Sequence, residues 1–566
     1  MRILYFIICL SILLTSCSYD LEHYEEVRRS LHNLEEFTPA TTANKVENIP
    51  ESKKTPDKEE IIQKAKDLVE HKENLPTFEL SLVDARKLAL ENNLTLKVDK
   101  YTPLSMEKSY EAEKAKFESV LSTATKYSYR YGSKDDYTDV SASINPSVRI
   151  PNNVGGSVTL GMSYTWNRSH PMGYVLGFDH GQARYVTTSY DLYKSYSADL
   201  QFSVSQPLLR NFGWDVNHAS IDIAGLQVHQ ADSRLKLSVI QLLANIEKAY
   251  WDYYCAYEKV AVQVNKYNLT QKQVETAEKM VSEGVRTKIE VLRAQLGVAS
   301  QFESIIIAET TRRQLERSLK RYILHPDIPL DSDTILVPTT QPYMEGLLFK
   351  RDSLIELALK NRMELVENEI QQIIDRKNIL VNKNATLPNL NLDFYYTASG
   401  SDSGLHNAYV REHRPHLSNT LDNIFNRENN SAGVGLSLDI PLGNKAAKAR
   451  LEQTLLDQQK TLENKKALED AIRVEVLNAV DALEQNWQRI LSNRMARELA
   501  RQTYESEKVQ FNYGHITSTD LLQSLSSLSD SEIAELSAII EYQKSLVDVA
   551  FATGTVLGQN NVQWKP

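Results

Sequence analysis

The chain has 566 residues, 42% hydrophobic and 24% charged, with a formal net charge of -10. This composition fits a folded protein and excludes both a disordered chain and a bundle of apolar membrane helices. The acidic balance runs along helical stretches instead of gathering in a tail, which favours solubility and argues against a nucleic-acid surface.

Residues 1–17, "MRILYFIICLSILLTSC", combine Arg2, an apolar run from Ile3 to Leu14 and small residues before Cys17. The run is too short to span a bilayer and reads as a secretory signal. Its ending resembles the bacterial lipoprotein signal, which implies that Cys17 is lipidated as the mature N-terminus. Ser18 after it implies an outer-membrane destination, where the lipid would hold the chain to the membrane surface. Residues 18–78 are polar, with prolines at 39, 50 and 56, and read as a periplasmic tether. With Cys9 in the removable segment and Cys17 the lipid candidate, Cys255 stands alone, so a disulfide framework is excluded and Cys255 reads as a packed core residue. No cysteine and histidine cluster has metal-ligand spacing. No phosphate loop, nucleophile elbow or carboxylate pair is present, so neither enzyme chemistry nor a cofactor is expected.

After the tether the chain repeats itself. "LALENNLTL" at Leu88–Leu96 returns as "LALKNRMEL" at Leu357–Leu365, and "FSVSQPLL" at Phe202–Leu209 returns as "LSLDIPLG" at Leu436–Gly443. "VSEGVRTKIEVLRAQL" at Val281–Leu296 has its counterpart in "FNYGHITSTDLLQSL" at Phe511–Leu525, with Gly284 over Gly514 and Glu290 over Asp520. Three landmarks in one order define two structural repeats, 79–330 and 351–566, joined by a linker at 331–350.

Long helices are the clearest elements. Proline is absent from Leu208 to His325 and from Leu442 to Lys565, and glycine is absent between Gly225 and Gly284 and between Gly443 and Gly514. Helices of about 58 to 70 residues would reach roughly 90 to 105 Å. Val260, Tyr267, Val274 and Val281 recur every seven residues, the seam of a coiled coil.

Apolar and polar residues alternate in "SVTLGMSY" (157–164), "DLQFSVSQ" (199–206), "NLDFYY" (391–396) and "GLSLDI" (435–440), as in strands with lipid on one side and water on the other. A half-exposed soluble sheet has the same pattern. Tyr127, Tyr129, Tyr131, Tyr164, Trp166, Tyr185, Tyr190, Tyr193 and Tyr196 cluster in the same region, as an aromatic girdle does. About four strands per chain are expected, with a further hairpin at about 139–166. Open strand edges cannot exist in lipid, so several copies must complete one barrel. Three copies of four strands would make twelve and leave a lumen.

The twofold repeat, the "QPLLRNFG" step at Gln206–Gly213, its echo "DIPLGNKAAKARLEQ" and the two glycine breaks together resemble the TolC-like outer-membrane efflux family, over nearly everything after residue 79. The lipoprotein ending resembles its lipid-anchored members. The resemblance implies a homotrimer with a twelve-stranded barrel in the outer membrane and an α-helical tunnel across the periplasm. It also implies a passive exit duct that serves an inner-membrane pump through a periplasmic adaptor, in efflux or type I secretion. A lipid-anchored coiled-coil adaptor or structural protein without a barrel is the alternative.

At the breaks, Gly284 and Gly514 suit a left-handed C-cap. Thr287 to Glu290 and Thr517 to Asp520 then suit capping boxes that start the next helices. A carboxylate there is stabilised by the helix dipole, so Glu290 and Asp520 read either as caps or as an acidic aperture that gates the tunnel. The family's lock of basic and tyrosine side chains is not matched: Ile516 and Phe511 stand at its positions, Gln523 replaces a further acid, and Arg286 is the nearby cation.

Overall fold

The computed structural model describes residues 76–132, 137–169, 172–179, 182–189, 193–405, 415–426 and 429–559. The signal, Cys17 and the tether up to residue 75 lie outside the described residues, as does Tyr190.

The two repeats have matching elements. In the first, β1 (Thr77–Leu80) precedes α1 (Leu82–Asn92), α2 (Leu94–Asp99) and α3 (Tyr101–Lys114). Strands β2 (Val120–Gly132), β3 (Tyr137–Pro151), β4 (Ser157–Ser169), β5 (Met172–Asp179), β6 (Gln182–Ser189) and β7 (Tyr193–Pro207) follow. Then come α4 (Trp214–Ser282) and α5 (Lys288–Ile323). After β8 (Ile335–Pro338), the second repeat runs α6 (Arg351–Asn361), α7 (Met363–Ala385), β9 (Asn389–Leu405), α8 (Leu417–Phe425), β10 (Asn429–Asp439), α9 (Lys445–Asn512), α10 (Ser518–Ala552) and α11 (Val556–Gln559). The "LALENNLTL" and "LALKNRMEL" segments fall on the same kink: 11-residue helices α1 and α6 end at Asn93 and Arg362, both extended in ψ.

Freedom from proline, with Gly225 the one glycine in α4 and none in α9, lets α4 run for 69 residues and α9 for 68, about 100 Å each. The seam expected on α4 buries Val260 and Tyr267, then passes to Thr270, Gln273, Ala277 and Met280, leaving Val274 and Val281 half-buried. A straight helix turns about 20° per heptad away from a seven-residue repeat, so the buried stripe drifts.

Cys255 lies in a core of α4 with Tyr250, Trp251, Tyr253, Leu80 and Leu319, and burial pushes its thiol up. Residues 331–350 are more than a spacer. β8 pairs in parallel with β1, the Thr340 amide donates to the Tyr250 hydroxyl at 3.1 Å, and the Tyr542 hydroxyl donates to the Glu345 carbonyl at 2.6 Å. A segment lying against helices has to pair its backbone groups, and these contacts do so.

One antiparallel sheet has the order β10-β9-β7-β4-β3-β2, and β5 and β6 form a separate hairpin. The sheet therefore has six strands where about four are expected. The additional hairpin at about 139–166 is present as β3 and β4 and joins the same sheet, as does β2. The Ser, Thr and Tyr alternation of β2 hid it among the aromatic residues. Directly opposed residues share a face, and the two faces separate cleanly. One row reads Leu121, Val148, Leu160, Phe202, Tyr396, Ala432 across all six strands. The adjacent row, on the other face, reads Ser122, Ser147, Gly161, Gln201, Thr397, Ser431. Tyr127, Trp166 and Tyr196 continue the apolar face toward the end of the sheet away from the long helices, and Tyr164 stacks on Tyr196 at 6.4 Å. There α8 covers part of that face, with Ile424 on Ala198 and Ala398.

Candidate functional site at the helical tips

The breaks are the turns that join α4 to α5 and α9 to α10. Gly284 has φ +74° and Gly514 φ +82°, values that a side chain resists. In each, the next amide reaches back one residue further than a helix would: Val285 donates to Met280 at 2.8 Å and His515 to Gln510 at 3.0 Å. Both are Schellman-type ends that satisfy the last carbonyls. Each turn thereby becomes a tight hairpin tip.

The second tip restarts its helix as expected. The Asp520 amide donates to Thr517 Oγ1 at 3.3 Å and the Thr517 amide donates to Asp520 Oδ2 at 2.9 Å, a reciprocal capping box. Asp520 is exposed, and hydrogen bonds from Thr517 hold its carboxyl below the usual range.

The first tip does not. Thr287 makes no side-chain cap bond, so the capping box expected for Thr287 and Glu290 is absent. The Glu290 carboxylate is turned away: its Oε2 accepts the backbone amide of Ser518 at 2.8 Å, and its Oε1 pairs with Arg293 at 3.0 Å. Glu290 therefore caps the start of the other repeat's helix α10. It is 6% exposed, and Ser518 is fully buried. Burial pushes the Glu290 carboxyl up, but the Ser518 amide, Arg293 and Arg286 outweigh it and leave it below the usual value.

Arg286 makes the reverse crossing. Its guanidinium donates to the Ile516 carbonyl and lies 5.9 Å from the centre of the Phe511 ring. Ile516 and Phe511, the two departures from the family's lock, are thus the partners of Arg286. Gln273 adds a bond to the Ser518 carbonyl at 2.9 Å. Met280, Tyr504, Phe511, Leu521 and Leu525 close an apolar core behind these contacts. The structure brings Arg286 and Glu290 onto Ile516 and Ser518 of the second tip and leaves Asp520, bonded to Thr517, facing outward beside Glu507 and Gln523. Ser518 and Arg293 were missed in the sequence. Arg293 was legible as the i,i+3 partner of Glu290, whereas a backbone amide gives no sequence signal.

Among the described residues no group of side chains could hold a metal ion, and no helix is long and apolar enough to cross a membrane. The second point does not bear on the sheet, whose one apolar face and one polar face are those of a membrane wall. Such a wall carried on helices of about 100 Å defines an outer-membrane channel that reaches into the periplasm. The outer membrane efflux protein family matches residues 157–323 and 354–555, and the chain belongs to that family. Its members are channels that serve as exit ducts in tripartite efflux. Solved structures share the fold. The open state of the Neisseria gonorrhoeae MtrE outer membrane channel matches at 17% identity and TM-score 0.58, over 84% of this chain and 89% of that one. CusC matches at 13% and 0.59, over 84% and 93%, and the Campylobacter jejuni CmeC outer membrane channel at 12% and 0.56, over 84% and 85%. No curated protein sequence matches this chain.

Proposed function

We propose that three copies of this chain form the exit duct, held at the outer membrane by a lipid on Cys17 and by the sheet, with the helices forming a tunnel across the periplasm. The observation that carries this reading is the six-stranded sheet, apolar on one face and polar on the other, with two open edges. In lipid those edges require further copies. The tips, farthest from the sheet along α4 and α9, meet a periplasmic adaptor, which joins the duct to an inner-membrane pump in efflux or type I secretion. Backbone left uncovered at Gly284 and Gly514 supports docking there.

The tip contacts divide the labour of the gate. Arg286 and Glu290 hold the two tips of one copy together as a unit, and Asp520 presents the acid to the aperture, where it favours cations. The test is the purified full-length protein: a trimer that persists in mild detergent, heat-modifiable mobility on a gel, and palmitate labelling that disappears in Cys17→Ala. A stable monomer would break this reading. In bilayer recordings Asp520→Asn reduces cation preference, and an unchanged preference would reduce Asp520 to a helix cap.

A further inference from the structure

We infer that the membrane wall of the assembled duct is closed by eighteen strands, six from each of three copies, and is wider than the twelve-stranded wall that four strands per copy would make. This rests on the trimer proposed above. The hairpin β3–β4 is the source of the extra width, and four observations make it wall and not an appendage.

The first is its place. β3 and β4 lie between β2 and β7, inside the sheet order, with a full antiparallel ladder on each side. Each of the two strands is thus bonded along its length to a neighbour on both sides, as an appendage is not.

The second is its surface. Val148 of β3 and Leu160 of β4 sit in the same apolar row as Leu121, Phe202 and Tyr396, and Ser147 and Gly161 sit in the polar row with Ser122 and Gln201. A solvent-exposed insertion has no reason to keep its apolar residues in register with a lipid-facing wall. A wall strand must.

The third is parity. β10 and β2 are the edges, and with six antiparallel strands they run in opposite directions. Copies around one axis all point the same way, so β2 of one copy meets β10 of the next antiparallel, and the ring closes without a parallel seam. An insertion of one strand would break that closure, whereas a hairpin preserves it.

The fourth is the anchor at the helical end. β2 leaves α3, β7 enters α4, β9 leaves α7 and β10 enters α9, but β3 and β4 are joined by the turn 152–156 with no helix beneath. That turn is built onto the neighbouring strand-to-helix step. Asn152 donates to Gln206 Oε1 at 2.8 Å, and the Gly213 amide donates to the Val154 carbonyl at 3.3 Å. A Cβ on Gly155 would lie 2.2 Å from the Asn211 carbonyl oxygen, and one on Gly156 would lie 2.5 Å from Gln206 Oε1. The contact admits glycine alone, so the hairpin is seated in one position.

With strands about 4.8 Å apart and tilted about 40°, eighteen strands close at a backbone diameter of about 35 Å, against about 24 Å for twelve. The lumen is lined by the polar rows. The passage through the membrane is then about 1.5-fold wider than a twelve-stranded wall allows, so control over what passes lies at the tips.

Electron cryomicroscopy of the full-length protein, viewed along its axis, tests this directly. Eighteen strands at about 35 Å are expected. A trimer whose wall has twelve strands at about 24 Å would overturn the inference and leave the duct reading intact, whereas a protein without a trimer or barrel would overturn both. Cysteine pairs give an independent test on the polar face. Ser122→Cys or Ser128→Cys on β2, each combined with Ser431→Cys or Ser437→Cys on β10, should yield a reductant-sensitive covalent oligomer between copies in at least one combination. Cross-links from β10 to Ser163→Cys on β4 instead, with the trimer intact, would place β4 at the edge and overturn it.

Discussion

The two helical tips begin from matching sequence and end in different chemistry. Both turn on a positive-φ glycine and both carry Thr-x-x-acid, yet Asp520 caps its own helix while Glu290 caps the helix of the other repeat. The difference comes from the neighbours. Glu290 lies beside the buried Ser518 amide, which has no other acceptor at the start of α10, and its side chain is long enough to reach across. The shorter Asp520 stays with Thr517. A duplicated motif thus became one clamp and one exposed acid.

The largest expected effect is at the clamp. Glu290→Ala leaves the Ser518 amide buried without an acceptor and should cost about 1–3 kcal/mol of local stability. Faster hydrogen exchange at residues 516–521 is the readout, and unchanged exchange would remove the clamp. Gly284→Ala and Gly514→Ala come next, at about 1 kcal/mol each from backbone strain. At Gly284 a Cβ meets nothing within 4 Å, and at Gly514 only Val285 at 3.9 Å, so the two costs should be equal. A much larger penalty at one of them in thermal melts would point to a contact absent here.

The caps divide the tips most sharply. Thr517→Ala should cost about 1 kcal/mol by loss of its cap bond. Thr287→Ala should cost only a few tenths at most, because Thr287 makes no side-chain cap bond. Equal losses in the two variants would restore the symmetric reading.

The smallest effect is with pH. Both acids have folded values below their ordinary ones, 4.5 for Glu290 and 3.8 for Asp520, so their contribution is complete above those values and is lost as pH falls through the lower folded value. A spin label at His515→Cys should therefore keep its mobility from neutral pH down to about 5 and loosen only in stronger acid. Glu290→Gln should flatten that profile, and loosening that begins near neutral pH would assign the change to another group.

Much of this architecture was legible before any coordinates. The absence of proline, with no glycine but Gly225 inside α4, dictates α4 and α9, the duplicated landmarks dictate two matching halves, and glycines at the breaks dictate left-handed helix ends, because each of these depends on local backbone geometry. Period-two alternation marked β4, β7, β9 and β10 by itself. Only the tertiary structure decided the rest. β2 became a wall strand because its Tyr and Thr residues fall in register with the apolar rows of β3, although its own composition is largely polar. The stripe on α4 drifted because a straight helix does not keep a seven-residue period. Glu290 crossed to the other repeat because a buried amide lay within reach, and which backbone group lies nearest a carboxylate is a property of packing, not of spacing along the chain.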